Sequence, residues 1–227
     1  MFDPTEPSSK SPVIFGRSTS HFTRVVTVFA HELGVSVELV PLLDLGSLEV
    51  AHYGGNPALK IPSLRLGDSV LFGTDNVCRA LAQCSTLRRK VVWPEDVHDE
   101  RARNAQQLVW HGMDAQVQLV AGPMLGKLTA DNAYLAKVRL GFEGALHWLD
   151  LNVEETLRAL PTPRDLSFFE VMLFCLVEHL RFRPTVPLVS CPRLEAFVAD
   201  FGARPSALHT AYRLNSQVQQ AAEGSRT

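Results

Sequence analysis

Asn56-Pro57-Ala58-Leu59-Lys60-Ile61-Pro62-Ser63-Leu64-Arg65-Leu66-Gly67-Asp68-Ser69-Val70-Leu71-Phe72-Gly73-Thr74-Asp75 is the stretch whose reading decides the fold. Ile61 to Leu66 reads as a strand, Gly67-Asp68 as a two-residue turn, and Ser69 to Phe72 as the returning strand. Thr74 or Asp75 is placed to cap a helix carrying Val77, Cys78 and Leu81. Pro62 is out of place at a strand start, because it has no N–H to give to a sheet. Its ring needs another reason to be there.

Toward the amino terminus, the irregular stretch Tyr53-Gly54-Gly55-Asn56 is preceded by Val35, Val37 and Leu39, which alternate with polar residues and predict a strand running into Pro41. Before that strand, Phe22, Val25, Val26, Phe29, Ala30 and Leu33 recur at helical spacing, and Gly34 is the expected stop. Polar residues 17–21 open that helix, and Val13-Ile14-Phe15 forms a short apolar strand ending at Gly16. The order is β-α-β, a connection, then β-β-α.

Toward the carboxyl terminus the texture changes to helix. A linker holds Arg88-Arg89-Lys90 and Trp93-Pro94. One helix is expected from Asp99 to Val120, with a break near Gly122-Pro123, and another from Asn132 to Asp150 with Leu135, Val138, Phe142, Leu146 and Leu149 on one face. Pro161 and Pro163 then punctuate a loop. Ser167 and Glu170 form a capping box, with Leu166 and Val171 at the hydrophobic-staple positions, ahead of an apolar helix from Phe168 to about His179. Cys191-Pro192 opens a further helix carrying Leu194, Phe197 and Phe201.

Composition removes several classes of function. The 227 residues are 46% hydrophobic, ample for a core, and 22 lysines and arginines against 24 acids leave no electrostatic footprint for nucleic acid. The longest tight apolar run, Val171 to Val177, is too short for a membrane span of roughly 20 residues. Residues 1–12 lack the basic and apolar regions of a signal peptide, and Cys78, Cys84, Cys175 and Cys191 show no metal or disulfide spacing. Free thiols in a cytoplasmic protein are expected, three of them packed on helices. The histidines show no metal-ligand spacing, and Gly122 to Lys127 is one residue short of a phosphate-binding loop.

The pieces taken together resemble the cytosolic glutathione S-transferases. The residues that carry the resemblance are Phe15 to Val26, His31-Glu32-Leu33-Gly34, Asn56 to Leu64, Leu71 to Asp75, Ser167 to Glu170 and Arg204-Pro205-Ser206, within a match from about Val13 to Tyr212. The resemblance implies a flexible segment over 1–12, a thioredoxin-like glutathione-binding domain with a mixed four-stranded sheet over 13–82, a linker over 83–98, an all-α helical domain over 99–212 and a polar tail over 213–227. It also implies glutathione as co-substrate, no metal, a small apolar electrophile, a role in detoxification and a homodimer.

Site residues follow from the same resemblance. In that family a hydroxyl or thiol at the amino-terminal end of the first helix donates a hydrogen bond to the glutathione sulfur and favours thiolate, as the helix dipole does. Ser20, four residues before Arg24, matches the position, with Thr19 and Ser18 as rivals. Serine at that point also caps a helix, and one residue can do both. The nucleophile then belongs to the substrate. Oxygen stands at both ends of Ser20-His21-Phe22-Thr23, where thiol–disulfide exchange needs cysteine, and His21, as the helical neighbour of Ser20, points elsewhere.

Ile61-Pro62 resembles the family's cis-proline dipeptide, whose first residue pairs its backbone with glutathione like an added strand. Thr74 and the following helix start are expected to hold the γ-glutamyl carboxylate. Gly73 stands where the family has Glu or Gln, so the γ-glutamyl ammonium is left to Asp75 or Asp68. Losing a charge-assisted contact there costs roughly 1.5–3 kcal/mol. His111 and Met113 are expected to line an electrophile pocket. Gly73, and His21 in place of the usual proline after Ser20, motivate a second reading: a non-catalytic member that keeps the fold for binding or protein association.

Overall fold

Val13–Gly16 (β1) is apolar and buried at every position. A computed structural model describes residues 11–188 and 191–213. The polar tail from 214 onward, and all but Ser11 and Pro12 of the expected lead-in, lie outside them. The chain divides into two units, one holding the residues up to Leu87 together with the segment from Thr210, the other Arg88–His209.

In the first unit Ser20 caps helix α1 (His21–Glu32), whose Val25, Val26, Val28 and Phe29 are fully buried. The helix closes with the Leu33 N–H on Phe29 O (2.9 Å) and the Val35 N–H on Ala30 O (2.9 Å), with Gly34 left-handed at φ 65°. That closure takes up Val35, so β2 (Glu38–Pro41) begins later than the alternation from Val35 predicts. It pairs in parallel with β1, Val13 opposite Glu38.

The hairpin forms as read, β3 (Ser63–Leu66) and β4 (Ser69–Phe72) around Gly67-Asp68, and the sheet is mixed with order β2-β1-β3-β4. Helix α2 (Thr74–Cys84) starts one or two residues earlier than expected: Gly73 is the N-cap and Thr74 the first helical residue. Neither Thr74 nor Asp75 caps it. α1 and α2 pack side by side, and Val77, Cys78 and Leu81 join Ile14 and Leu64 in a core with zero exposure.

The expected linker over 83–98 is divided: 83–84 end α2, the residues to Leu87 stay with the first unit, and the rest enters regular structure in the second. β5 (Val91–Val92) pairs in parallel with β6 (Leu166–Ser167), and Asp165 accepts the Lys90 N–H at 2.7 Å. Helix α3 (Glu100–Met124) starts at its Asp99 cap and does not break at Gly122-Pro123. Pro123 lies in the last turn, where only one backbone bond is lost, and the Leu125 N–H still closes on Ala121 O at 2.8 Å. α4 (Ala133–Ala159) runs well past Asp150. Buried Asp150 and Thr156 hide its periodicity, because they are polar residues on the core face.

Helix α5 (Phe168–Phe182) is buried from Phe168 to Leu180 except at Glu170 and Glu178. Its first turn carries a modified capping box. Ser167 Oγ accepts the Glu170 N–H (3.1 Å), but the Glu170 carboxylate accepts the Ser167 hydroxyl (2.6 Å) and the Arg164 guanidinium (3.1 Å through both Nε and Nη2). α6 (Pro192–Gly202) starts at Cys191, whose side chain makes no cap bond. Asp150, reaching from α4, accepts the N–H groups of Arg193 (2.8 Å) and Leu194 (2.9 Å) in its place. The short helix α7 (Pro205–His209) follows. Among the described residues no helix is long and apolar enough to cross a membrane.

Candidate active site

The register of the sheet brings the expected site residues of the first unit to one end. Phe15 lies opposite Ser63, and Ser63 opposite Phe72. Three connections therefore leave the sheet side by side: Gly16 into the start of α1, Ile61-Pro62 into β3, and Gly73 into α2. At a strand spacing of about 4.8 Å they span roughly 10 Å. Two helix amino termini flank a strand entry, an arrangement suited to an extended anionic ligand.

At the first connection, Arg17 to Ser20 forms a turn closed by the Ser20 N–H on Arg17 O (3.0 Å). Thr23, 1% exposed, brackets that turn in both directions. Its N–H donates to Ser20 Oγ (3.3 Å), and its Oγ1 accepts the Arg17 N–H (3.2 Å). Gly16 makes room for it, since a Cβ there would stand 2.6 Å from the Thr23 side chain. Thr23 was not among the expected site residues. The signal for it was a polar residue three past the N-cap, where a capping box keeps its second partner.

The three candidate hydroxyls are placed differently. Ser18 donates its proton to Arg213 O at 2.9 Å, and Thr19 is buried at 8% exposure. Half-buried Ser20 uses its oxygen as acceptor for the cap, which leaves its proton to be donated. His21 is buried and lies against Phe22, ring centroids 4.6 Å apart.

At the second connection the Ile61–Pro62 bond is cis. The approach to it is held by Asn56, 4% exposed, which donates to Lys60 O (2.8 Å) and accepts the Ala58 N–H (3.0 Å). Ser63 Oγ donates to Tyr53 O at 2.6 Å. Gly54, at φ 66°, lets the Tyr53 loop lie against the sheet, because a Cβ there would be 2.4 Å from the Phe15 ring. Asn56 is a second residue the expected site omitted; its bonds fall two and four residues on within one loop, and the signal for it was an Asn opening a turn before Pro57.

Third, Gly73 is exposed at φ 85°, ψ 143°, with no side-chain cap on α2. That backbone region is essentially glycine's own. A Cβ at Gly73 meets nothing within 4 Å, so a larger side chain pays only in backbone strain. Gly73→Glu, which installs one of the two side chains, Glu or Gln, that the resemblance leads one to expect there, is expected to lower stability by about 2 kcal/mol and the melting temperature by roughly 5 °C. An unchanged melting curve would show that the left-handed backbone is not required. Thr74 is buried at 5% exposure, and Asp75 is ion-paired with Arg79 at 2.9 Å. Asp68 sits in the hairpin turn at the far end of β3 and β4, roughly 10 Å from Ser63 at the rise of a strand, so the structure does not bring it to the site.

No protein-family model matches this sequence, and no match is found among the curated proteins. Solved structures do match. A glutathione transferase family member from Pseudomonas fluorescens Pf-5, with bound glutathione, has a TM-score of 0.72 at 23% identity over 90% of this chain and 100% of that one. A glutathione S-transferase from Methylobacillus flagellatus KT, with GSH bound, gives 0.70 at 23% identity over 89% and 100%. Glutathione transferase F7 from Populus trichocarpa gives 0.63 at 18% identity over 88% and 97%. This chain has the glutathione S-transferase fold.

Two residues expected to line an electrophile pocket within that fold are not brought together. Both lie on α3, two positions apart, which on a helix is about 200° of rotation. Met113 has zero exposure in the core of its unit, whereas His111 is exposed and bonded to Gln107 (2.9 Å).

Nor does the fold supply an activated thiol of its own. Cys78 and Cys175 are fully buried, and burial pushes the Cys84 thiol up from its ordinary range. Cys191 is pushed up by burial first and then by the carboxylates of Asp150 and Glu195. A reactive cysteine needs the opposite shift. Among the described residues no group of three or more His, Cys, Asp or Glu is arranged to hold a metal ion.

Proposed function

We propose that this chain is a glutathione-dependent transferase in which the Ser20 hydroxyl activates the glutathione thiol for attack on a small apolar electrophile. The supporting observation is the Ser20 hydroxyl itself: its oxygen is fixed by the Thr23 N–H at a helix amino terminus, and its proton is left to donate. A sulfur placed there gains one hydrogen bond and the helix field, both of which favour thiolate. The S–H proton leaves to solvent, the sulfur forms the new bond to carbon, and the electrophile's leaving group departs with the displaced electron pair.

The cysteinyl backbone of the ligand pairs with Ile61, and Pro62 fixes the geometry of that edge. Thr74 and the α2 start take the γ-glutamyl carboxylate. Asp75, though shared with Arg79, is our choice for the ammonium. Two structures of this fold, from Pseudomonas fluorescens and Methylobacillus flagellatus, are described with glutathione bound, which supports the ligand class. We expect a homodimer in the cytoplasm; sedimentation of the purified chain measures the oligomeric state.

Gly73 favours a second reading, a binding module without catalysis, because the family's Glu or Gln side chain is missing there. Calorimetric titration with reduced glutathione separates the two. Saturable binding in the millimolar range or tighter is expected, weakened about tenfold in Asp75→Asn. No heat at high millimolar glutathione removes the transferase and leaves the binding module. Equal affinity in Asp75→Asn moves the ammonium contact to another group.

A further inference from the structure

After α7 the chain returns to the first turn of α1. Ser18 donates its hydroxyl to Arg213 O (2.9 Å), Arg24 Nε donates to Thr210 Oγ1 (3.4 Å), and the Arg24 guanidinium lies over the Tyr212 ring, 4.4 Å from its centroid. Arg24 is only 3% exposed. A cation withdrawn from water and stacked on an aromatic face is in the stronger range of that attraction.

The two anchor points bracket Ser20. Ser18 lies inside the Arg17–Ser20 turn, and Arg24, one helical turn on, gives its N–H to Ser20 O at 2.9 Å. Ser20 and Arg24 therefore share a face at the start of α1. The segment holding Tyr212 runs from one anchor to the other.

We propose that Thr210 to Arg213 is a positioning strap. Pinned by Arg24 on Tyr212, it engages the Ser18 hydroxyl and holds the turn so that Ser20 is the hydroxyl presented to the ligand sulfur. The role of Ser20 rests on the function proposed above; the clamping of the turn does not. Arg24 and Tyr212 act through Ser18 and the turn and touch no reacting atom.

Full-length Tyr212→Ala and Tyr212→Phe test this by amide hydrogen exchange over residues 17–24 and by the pH profile of glutathione conjugation. In Tyr212→Ala, exchange over 17–24 is expected to rise about tenfold, and kcat to fall about tenfold with KM within roughly threefold. The midpoint of the thiol's pH profile moves up, because the sulfur loses its oriented donor. Tyr212→Phe keeps the ring over Arg24 and stays within about threefold of wild type in both measurements.

Unchanged exchange in Tyr212→Ala overturns the strap. So does faster exchange with an unmoved pH profile and kcat, or a Phe variant that behaves like the Ala variant. Should the wild-type chain not bind glutathione, the Ser20 chemistry fails while the exchange comparison still decides whether the strap holds the turn.

Discussion

Ser20→Ala is expected to lower the rate of glutathione conjugation to a generic electrophile about 100-fold, with glutathione affinity within roughly threefold of wild type. In the proposed binding mode the loss falls on the chemical step, because the hydroxyl would meet developing thiolate charge while Ile61 and Thr74 would hold the ligand. The same substitution removes the cap on the Thr23 N–H and costs about 1 kcal/mol of stability. Ser20→Gly separates these effects, since glycine at an N-cap loses only a few tenths of a kcal/mol yet lacks the hydroxyl. It should therefore be nearly as stable as wild type and as slow as Ser20→Ala. A conjugation rate unchanged in both variants would remove Ser20 from the mechanism. Ser18 would then be the weaker heir, because its proton is already donated to Arg213 O.

The second large effect is on folding. Glu170→Ala is expected to destabilise the helical unit by about 3 kcal/mol, seen as a fall in melting temperature of roughly 10 °C. Arg164 and Glu170 are only 17% and 15% exposed at their side chains, so each is largely withdrawn from water. Removing the carboxylate leaves the guanidinium with the carbonyls of Pro161 and Leu157 and no counter-charge. It also strips the Ser167 hydroxyl of its acceptor. Glu170→Gln keeps an acceptor for Ser167 and should lose about half as much. A melting temperature within roughly 2 °C of wild type in Glu170→Ala would show that water replaces the ion pair without cost.

Much of this protein could be read from spacing, because the deciding bonds join residues a few positions apart. Ser20 caps α1 through Thr23 and Ser167 caps α5 through Glu170, both three residues on. The Gly67-Asp68 turn sets the pairing of Leu66 with Ser69, and that register carries Ser63 to the end of the sheet where α1 and α2 begin. Misreadings had separate causes. Asp150 and Thr156 masked the length of α4, and Gly73 took the cap expected of Thr74 or Asp75.

The order of elements followed from strand alternation, helical period and capping, which are properties of neighbouring residues, whereas the mixed sheet and the choice of Ser20 over Thr19 and Ser18 came from the resemblance. Tertiary structure alone decided that Ser18 donates to Arg213 O, how α6 is capped and where Thr210 to Arg213 lie. Asp150 reaches α6 across 44 positions, and Ser18 meets Arg213 across 195. Such contacts arise where packing brings distant segments together, and no local preference records them.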